Sequence, residues 1–389
     1  MKKKLLAVLL VVSMVAALAG CASGNTQTGG SAPATTEGSK DSPDASGAVD
    51  YPVETLMIGV ELYDPTDSET IALQEYLSYL EKNMNVKFKY SEAVTTADEE
   101  IQFIEDCAIS GCKGFIAYYN VTGAEQINKT SEYEMYYWGM ANETEIYEAN
   151  KENPYYLGSI HTGNSDYEGG HALAEWVLAQ GFDKIIYASG GADIGVSMFI
   201  DRQKGFTDGL EGSNVDVITV SGFPGDQFFA DQSAALSQEG VQAVVASFNG
   251  VNFWAQPIES AGLSGKVKLA TIGSVNQSCV DAFKSGALDF LYSGNIQRFG
   301  LAVGMIANAV DGNADALKSD GFATNIPAHA WAVNNAEECQ KLLDIQNGER
   351  VYTVADIISI CVSQNPEADS QTLMDLVDAS STERLLGNN

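Results

Sequence analysis

The chain has 389 residues and a formal net charge of -31, with 52 acidic residues against 21 basic ones. An acidic surface of this kind repels nucleic acid phosphates and anionic lipids, so a nucleic acid partner is not expected. The length exceeds that at which a single hydrophobic core usually stops growing, and two lobes are therefore predicted.

The N-terminus has the features of an export signal. Lys2 to Lys4 precede a predominantly apolar run from Leu5 to Leu18. A helix needs about 20 residues to span a bilayer, so this shorter run indicates a signal peptide rather than a permanent transmembrane segment. The small residues directly before Cys21 resemble the bacterial lipobox, which implies removal of residues 1–20 and attachment of a lipid to Cys21.

Residues 21–50 are almost all small or polar. Such a composition cannot bury enough apolar surface to fold, and it predicts a disordered tether. The mature protein is therefore expected outside the cytoplasm, anchored to the cell membrane by the lipid on Cys21.

From Thr55 onward, short β-branched or aromatic runs alternate with longer amphipathic stretches. This pattern predicts an α/β fold, in which each lobe is a parallel sheet with helices on both faces. The predicted strands are Leu56–Val60, Val86–Tyr90, Lys113–Tyr119, Met135–Gly139, Leu157–His161, Lys184–Tyr187, Val215–Val220, Ala243–Ser247, Val267–Ile272 and Phe290–Ser293. The predicted helices are Ser68–Met84, Asp98–Ile109, Glu168–Gln180, Phe199–Leu210, Gln227–Gln238, Phe299–Val310, Ala336–Leu343 and Thr353–Ser363.

The elements divide the folded part of the chain into two lobes. The first lobe is predicted to contain residues 51–157 and about 296–325, and the second residues 158–295 and about 326–345. Residues 346–389 form a C-terminal extension whose contacts the sequence does not predict.

The chain has six cysteines. Cys107 and Cys112 are close enough in sequence to pair, but their spacing fits neither a redox motif nor a zinc pair. For most of the cysteines other than Cys21, we expect buried thiols that behave as small apolar side chains.

Several short motifs resemble one known family. Ser165 to Gly170, Arg202 to Phe206, the Ala261-Gly262 pair and Gln297 are similar to motifs of the type I periplasmic binding proteins. These proteins deliver sugars to ABC transporters and share their fold with the ligand-binding domain of LacI-type repressors. The resemblance covers about residues 54–335 and implies a two-lobed fold that closes on a ligand. Gly273 and Ser274 depart from the pattern, because sugar binders commonly carry an Asp there.

Ligands of open α/β sheets bind beyond the carboxyl ends of the strands. Polar and aromatic residues near the predicted strand ends and at the crossover suit a polyhydroxylated ligand, because planar polar groups pair with hydroxyls and aromatic faces cover C–H patches. The candidate ligand-binding residues are Tyr63, Asp64, Tyr119, Asn120, Trp138, Asn142, Asp166, Arg202, Asn249, Asn276, Asn295 and Gln297.

Arg202 is the first candidate, since hydrogen bonds to charged groups are the stronger ones. Its alternative is a solvent-exposed helix arginine. Trp138 and Tyr63 could instead pack within their own lobe. Asp64 could instead cap the helix near Ser68.

The sequence favours a binding protein over an enzyme. Its three histidines form no HExxH motif, and the glycines from Gly190 to Gly195 lack the dinucleotide-binding order. No G-x-S-x-G motif with suitable partners is present. No cofactor and no metal are expected, and the chain is predicted to be a monomer that hands a small polar ligand, a sugar in the first instance, to an ABC transporter permease. A role in sensing, in which the closed form is presented to a membrane receptor, is the alternative to transport. A nucleoside or a signalling furanose is the alternative to an ordinary sugar as ligand.

Overall fold

A computed structural model describes residues 49–62, 64–65, 67–117, 122–139, 144–161, 165–194 and 197–387. The signal peptide, Cys21 and most of the tether lie outside these residues, as do four of the candidate site residues: Tyr63, Tyr119, Asn120 and Asn142.

The described residues contain twelve strands. They are β1 (Leu56–Leu62), β2 (Val86–Ala93), β3 (Gly114–Ala117), β4 (Tyr136–Gly139), β5 (Tyr156–His161), β6 (Lys184–Gly190), β7 (Asp216–Ser221), β8 (Ala243–Ala246), β9 (Lys268–Ile272), β10 (Phe290–Gly294), β11 (Thr324–Pro327) and β12 (Ala330–Val333).

Helices separate all consecutive strands except β11 and β12, and further helices follow β12. They are α1 (Ser68–Asn83), α2 (Ala97–Ile109), α3 (Gly123–Glu132), α4 (Thr144–Asn150), α5 (Ser165–Gln180), α6 (Ser197–Gly209), α7 (Asp226–Leu236), α8 (Gly250–Ser260), α9 (Gln277–Ser285), α10 (Phe299–Asn308), α11 (Ala336–Asn347), α12 (Val354–Ser359), α13 (Ser370–Ala379) and α14 (Thr382–Leu386).

The strands form two six-stranded sheets, in the orders β11-β5-β4-β3-β1-β2 and β12-β10-β9-β8-β6-β7. All pairings are parallel except that of β10 with β12. Each sheet is the centre of one lobe. The predicted two-lobed α/β fold is therefore confirmed.

The central strands are buried because helices cover both faces of each sheet. β3 and β8 have only buried residues, and their sequences, GFIA and AVVA, are continuous runs without polar side chains. Such runs are typical of parallel strands that have no solvent-facing side. The described residues contain no helix that is long and apolar enough to cross a membrane.

One strand lies in a different lobe from the predicted one. The sequence placed Leu157–His161 at the start of the second lobe, but the structure places β5 in the first sheet, between β4 and β11. The chain leaves the first lobe after His161. The predicted lobe was wrong because the apolar content of a strand predicts that it is buried but not which strand it pairs with.

The C-terminal extension contacts both lobes. Ile357 on α12 and Leu373 on α13 lie in the core of the first lobe. Leu385 on α14 packs against the core of the second lobe. The extension therefore packs on the two sheet domains and is not a separate tail.

Backbone contact between α5 and α6 depends on two glycines. A Cβ atom at Gly170 would lie 1.9 Å from the Arg202 carbonyl oxygen, and one at Gly205 would lie 1.9 Å from the Tyr167 carbonyl oxygen. No side chain fits at that separation, so the two helices approach this closely only because both positions are glycine.

We therefore expect Gly205→Ala to destabilise the protein by about 1–3 kcal/mol or more, because the added methyl group forces the two helices apart. Urea unfolding followed by circular dichroism measures the change. Gly225→Ala is the matched control, since a Cβ atom there meets only the Phe223 carbonyl oxygen at 3.8 Å and the backbone is extended. Equal losses in the two variants would contradict this account of the helix contact.

Candidate functional site

Arg202 lies at the carboxyl edge of the second sheet. It projects from α6, and its Nε and Nη2 atoms both lie 2.8 Å from Oδ1 of Asp166 on α5. Its Nη1 atom donates to the carbonyl oxygen of Ser247 at 2.7 Å, directly after β8. The guanidinium is thus held at the edge where parallel sheets bind their ligands.

The guanidinium is also packed against an aromatic ring. Its central carbon lies 5.4 Å from the ring centroid of Phe199, within the range of a cation–π interaction. The side chain of Arg202 is only 14% exposed, so it is not the solvent-exposed helix arginine of the alternative interpretation. A guanidinium has five N–H donors, and the contacts described above use three of them.

Four phenylalanines form an aromatic group beside Arg202. Phe223 follows β7, Phe248 follows β8, and both contact Phe199, with ring centroids 5.3 to 5.8 Å apart within the three. Phe253 adds a fourth ring, 5.6 Å from Phe248. Phe223 is 44% exposed, so its face is available to a ligand. Sequence reasoning missed Phe199, Phe223 and Phe248, although an aromatic residue two positions after the end of a strand was a usable signal for the last two.

Two asparagines of the second lobe line a small pocket next to this edge. Asn249 adopts a left-handed conformation, with φ 41°, where β8 turns into α8. Asn276 caps α9, because its side-chain oxygen accepts from the Cys279 N–H at 3.0 Å. Ser274 lies in the same pocket. The structure therefore brings both predicted asparagines to one pocket, and it gives Asn276 a capping role as well.

The two crossover residues are engaged within the protein. Asn295 is buried, and its Oδ1 atom accepts from the Gln297 N–H at 3.0 Å. Gln297 donates from Nε2 to the Gln346 carbonyl oxygen and accepts at Oε1 from the Val351 N–H, both at 2.7 Å. Both polar atoms of the Gln297 side chain are therefore used by the C-terminal extension, which the sequence did not predict.

In the first lobe, two of the candidate residues, Trp138 and Asp64, lie in the described part of the chain. Trp138 is fully buried in the core, with its ring centroid 5.2 Å from that of Phe299, as its alternative interpretation held. Asp64 is not the N-cap of α1. That cap is Asp67, whose carboxylate accepts from the Glu69 N–H at 2.8 Å.

A buried carboxyl group lies near the end of β1. Glu61 is fully buried, and its Oε2 atom accepts from Gln126 Nε2 at 3.1 Å. Burial, and then the negative charge of nearby Glu100, raises the pKa of Glu61 to about 9. Glu61 is therefore protonated at neutral pH. Sequence reasoning missed it, although an acidic residue inside the apolar run LMIGVEL was a visible exception.

Glu100 connects this buried group to the start of α3. Its Oε2 atom accepts from the Thr122 N–H at 3.0 Å and from the Thr122 hydroxyl at 2.6 Å. Thr122 directly follows residues 118–121, which include the candidates Tyr119 and Asn120. Glu100 therefore holds the chain at the exit of a segment that is predicted to contact the ligand, and Glu61 holds Gln126 one turn further along α3.

The described part of the chain holds no cluster of three or more His, Cys, Asp or Glu side chains that could bind a metal ion. Its five cysteines, Cys107, Cys112, Cys279, Cys339 and Cys361, are buried free thiols, and none of them forms a disulfide with another.

No protein-family model and no curated protein sequence matches the chain. Solved structures do match it in fold. A galactofuranose binding protein is 13% identical, with a TM-score of 0.58 over 75% of this chain and 98% of its own. An ABC transporter periplasmic solute binding protein from Actinobacillus succinogenes, with bound D-allose, is 12% identical, with a TM-score of 0.60 over 73% and 99%. A Caulobacter myo-inositol binding protein bound to myo-inositol is 17% identical, with a TM-score of 0.57 over 74% and 96%.

These similarities show the fold. The chain has the two-lobed architecture of type I periplasmic binding proteins, as the sequence motifs predicted. The matches span nearly all of each solved structure but leave about a quarter of this chain outside them.

The buried carboxyl predicts a distinct pH dependence of stability. The pKa of Glu61 is raised on folding, so its contribution to stability is complete below the unfolded-state pKa of about 4.5 and is lost as the pH rises towards 9. Glu61→Gln retains a neutral side chain at all pH values. We expect the variant to gain stability over the native protein as pH rises, by up to about 1.4 kcal/mol per pH unit in that window.

Urea unfolding at half-unit steps from pH 5 to pH 9 measures this difference. Glu125→Gln is the matched control, because Glu125 is exposed on α3. A constant difference between Glu61→Gln and the native protein across the range would contradict the raised pKa.

Proposed function

We propose that this chain is an extracytoplasmic solute-binding lipoprotein that captures a sugar between its two lobes for an ABC importer. The observation that carries the proposal is the cluster of Arg202, Asp166 and the Ser247 carbonyl at the carboxyl edge of the second sheet. The solved proteins of the same fold include binders of D-allose, myo-inositol and galactofuranose, which supports a polyhydroxylated ligand.

The chemistry of this edge suits such a ligand. The rigid guanidinium offers N–H donors to neighbouring hydroxyls, and Asp166 offers acceptor oxygens beside it. The exposed ring of Phe223 covers the C–H face of a sugar ring. A ligand held in this way needs no reacting group, and we propose a binding role without catalysis.

Lobe closure provides the signal for transport. Residues of the second lobe hold the ligand first, and the first lobe then adds its own contacts, which we propose include Tyr63, Asp64, Tyr119, Asn120 and Asn142. Because the ligand contacts both lobes only when they approach, it stabilises the closed state by its differential affinity. A permease that recognises the closed state then receives only loaded protein.

The N-terminus places this cycle at the membrane surface. We propose that the lipid on Cys21 anchors the chain and that residues 22–50 let the lobes move relative to the permease. The support for this step is the order of the basic, apolar and small residues before Cys21.

The ligand class can be tested by thermal unfolding with a panel of hexoses, pentoses, furanoses, inositols and nucleosides. A specific ligand at 100 times its dissociation constant adds about 2.7 kcal/mol to stability and raises the melting temperature accordingly. We expect a shift with one member or a few related members of the sugar and inositol group. A shift with nucleosides alone would overturn the sugar assignment, and no shift across the whole panel would overturn the proposed ligand class.

Arg202→Met removes the charged donors but keeps an unbranched apolar stem of the same length as far as the Nε position. We expect a 10- to 100-fold loss of affinity for the ligand, because a hydrogen bond to a charged group contributes about 1.5–3 kcal/mol. Isothermal titration calorimetry measures the loss. Lys204→Met is the matched control on the same helix, where Lys204 is exposed and pairs with Asp208. Equal affinities of the two variants would remove Arg202 from the site.

Cys21→Ser tests the anchor. We expect the variant protein to move from the membrane fraction to the soluble extracytoplasmic fraction, because no thiol is left to carry the lipid. Cell fractionation and metabolic labelling with a fatty acid measure the two effects. A Cys21→Ser protein that stays membrane-bound and labelled would contradict the lipobox assignment.

A further inference from the structure

The C-terminal extension passes between the lobes twice. We call residues 346–386 the strap. It leaves the second lobe after α11 and enters the first lobe, where α12 and α13 contribute Ile357 and Leu373 to the core. It then returns to the second lobe as α14, where Leu385 and Leu386 pack against the core.

The first passage is hydrogen-bonded to the crossover between β10 and α10, one of the connections that form the hinge between the lobes. Gln297, in the crossover between β10 and α10, binds the Gln346 carbonyl and the Val351 N–H. One residue later, the Tyr352 carbonyl accepts from the Tyr76 hydroxyl of α1 at 2.8 Å. The strap is thereby attached to the crossover and to the first lobe within two consecutive residues.

The second passage is short and buried. Ser380 and Ser381 alone connect α13 to α14. Ser380 is buried, and its carbonyl accepts from Trp331 Nε1 of β12, in the second sheet, at 2.9 Å. His329, between β11 and β12, lies 3.1 Å from Asp378 of α13. This passage therefore lies directly against the β11 to β12 crossover.

These contacts limit how far the lobes can separate. The chain already crosses between the lobes from β5 to α5, from β10 to α10 and from β11 to β12. A connection of two residues spans at most about 7 Å even when fully extended. Opening that draws the second lobe away from α13 must therefore break the Trp331 contact or detach α14.

We infer that the strap restricts lobe opening, so that the ligand-free protein is held in a narrower range of open conformations than its three crossovers alone would allow. The weakest attachment is α14, which has no fully buried residue. It is held by the two leucines and by a hydrogen bond of 2.7 Å from Lys341 Nζ to the Leu386 carbonyl. Detaching α14 releases one end of the strap without touching the hinge.

The test measures the distance between the lobes in the full chain without ligand, so it does not depend on the proposed sugar. Spin labels at Asp98→Cys and Asp226→Cys, in a Cys21→Ser background, report this distance by pulsed electron paramagnetic resonance. Both positions are exposed in the first turns of α2 and α7, one in each lobe. The native cysteines of the described residues are buried and stay unlabelled.

The test variant is Leu385→Ser with Leu386→Ser, and the matched control is Glu383→Ser with Arg384→Ser, two exposed positions of the same helix. We expect the leucine variant to shift the distances to larger values and to broaden them, while the control keeps the native distribution. An unchanged or shorter distribution in the leucine variant would overturn the inference.

Circular dichroism establishes that each variant is folded. Should the leucine variant fail to fold, Trp331→Phe provides the decisive measurement, because it removes the Nε1 donor to Ser380 and keeps an aromatic ring in the core. The same shift to larger distances is expected there, and its absence would equally overturn the inference.

Discussion

The contact between α5 and α6 determines where the charged group of the site lies. Asp166 and Arg202 are on these two helices, and their ion pair requires the helix backbones to approach within van der Waals contact. Gly170 and Gly205 permit that approach. The guanidinium is therefore positioned by packing within the protein itself, and under the proposed function such positioning lowers the entropy cost of binding. The motifs around Ser165 and Arg202 include these two glycines, so they indicate the packing of the helix pair as well as candidate ligand contacts.

The two lobes treat buried charge in opposite ways. Asp166, a backbone carbonyl and an aromatic face compensate the Arg202 guanidinium for its partial loss of water. Glu61 is kept neutral by its raised pKa, which burial and the negative charge of Glu100 cause. A neutral carboxyl can donate a hydrogen bond as well as accept one, so it can hold a neighbouring acceptor without a net charge. The first lobe thus keeps Glu61 neutral in its core, where Oε2 of Glu61 accepts a hydrogen bond from Gln126 of α3.

The sequence predicted the strands well because buried parallel strands are short, continuous apolar runs. It failed where pairing depends on distant residues. β5 joins the first sheet because Gly158, with φ 87°, lets β11 approach so closely that a Cβ atom would lie 1.9 Å from the Thr324 carbonyl oxygen. β11 itself, TNIP, carries no periodic signal that a sequence reader can use. The lobe to which β5 belongs, and the existence of β11, could therefore be recognised only from the strand pairing in the structure.

The candidate site divides along the same line. Arg202, Asp166, Asn249 and Asn276 were found because they follow strand ends or belong to recognisable motifs, and the structure places them at the carboxyl edge of the second sheet. The partners of Gln297 are 49 and 54 residues away along the chain, in an extension that had no predicted contacts. Site residues that are marked by their neighbours in the sequence could be predicted. Contacts that depend on which distant segment returns to the hinge could not.

A binding protein of two lobes must satisfy two opposing requirements at its hinge. Wide opening allows the ligand to enter and leave. However, the more time the lobes spend apart, the smaller is the fraction of molecules that can bind the ligand with both lobes, and the apparent affinity falls accordingly. Additional connections between the lobes narrow the open ensemble, and so they raise apparent affinity while they slow exchange. The strap adds two such connections to the three crossovers, and it ends in a helix with only partly buried attachments. Under the proposed function, mutations that strengthen or weaken the docking of α14 change affinity and exchange without altering any residue of the proposed site.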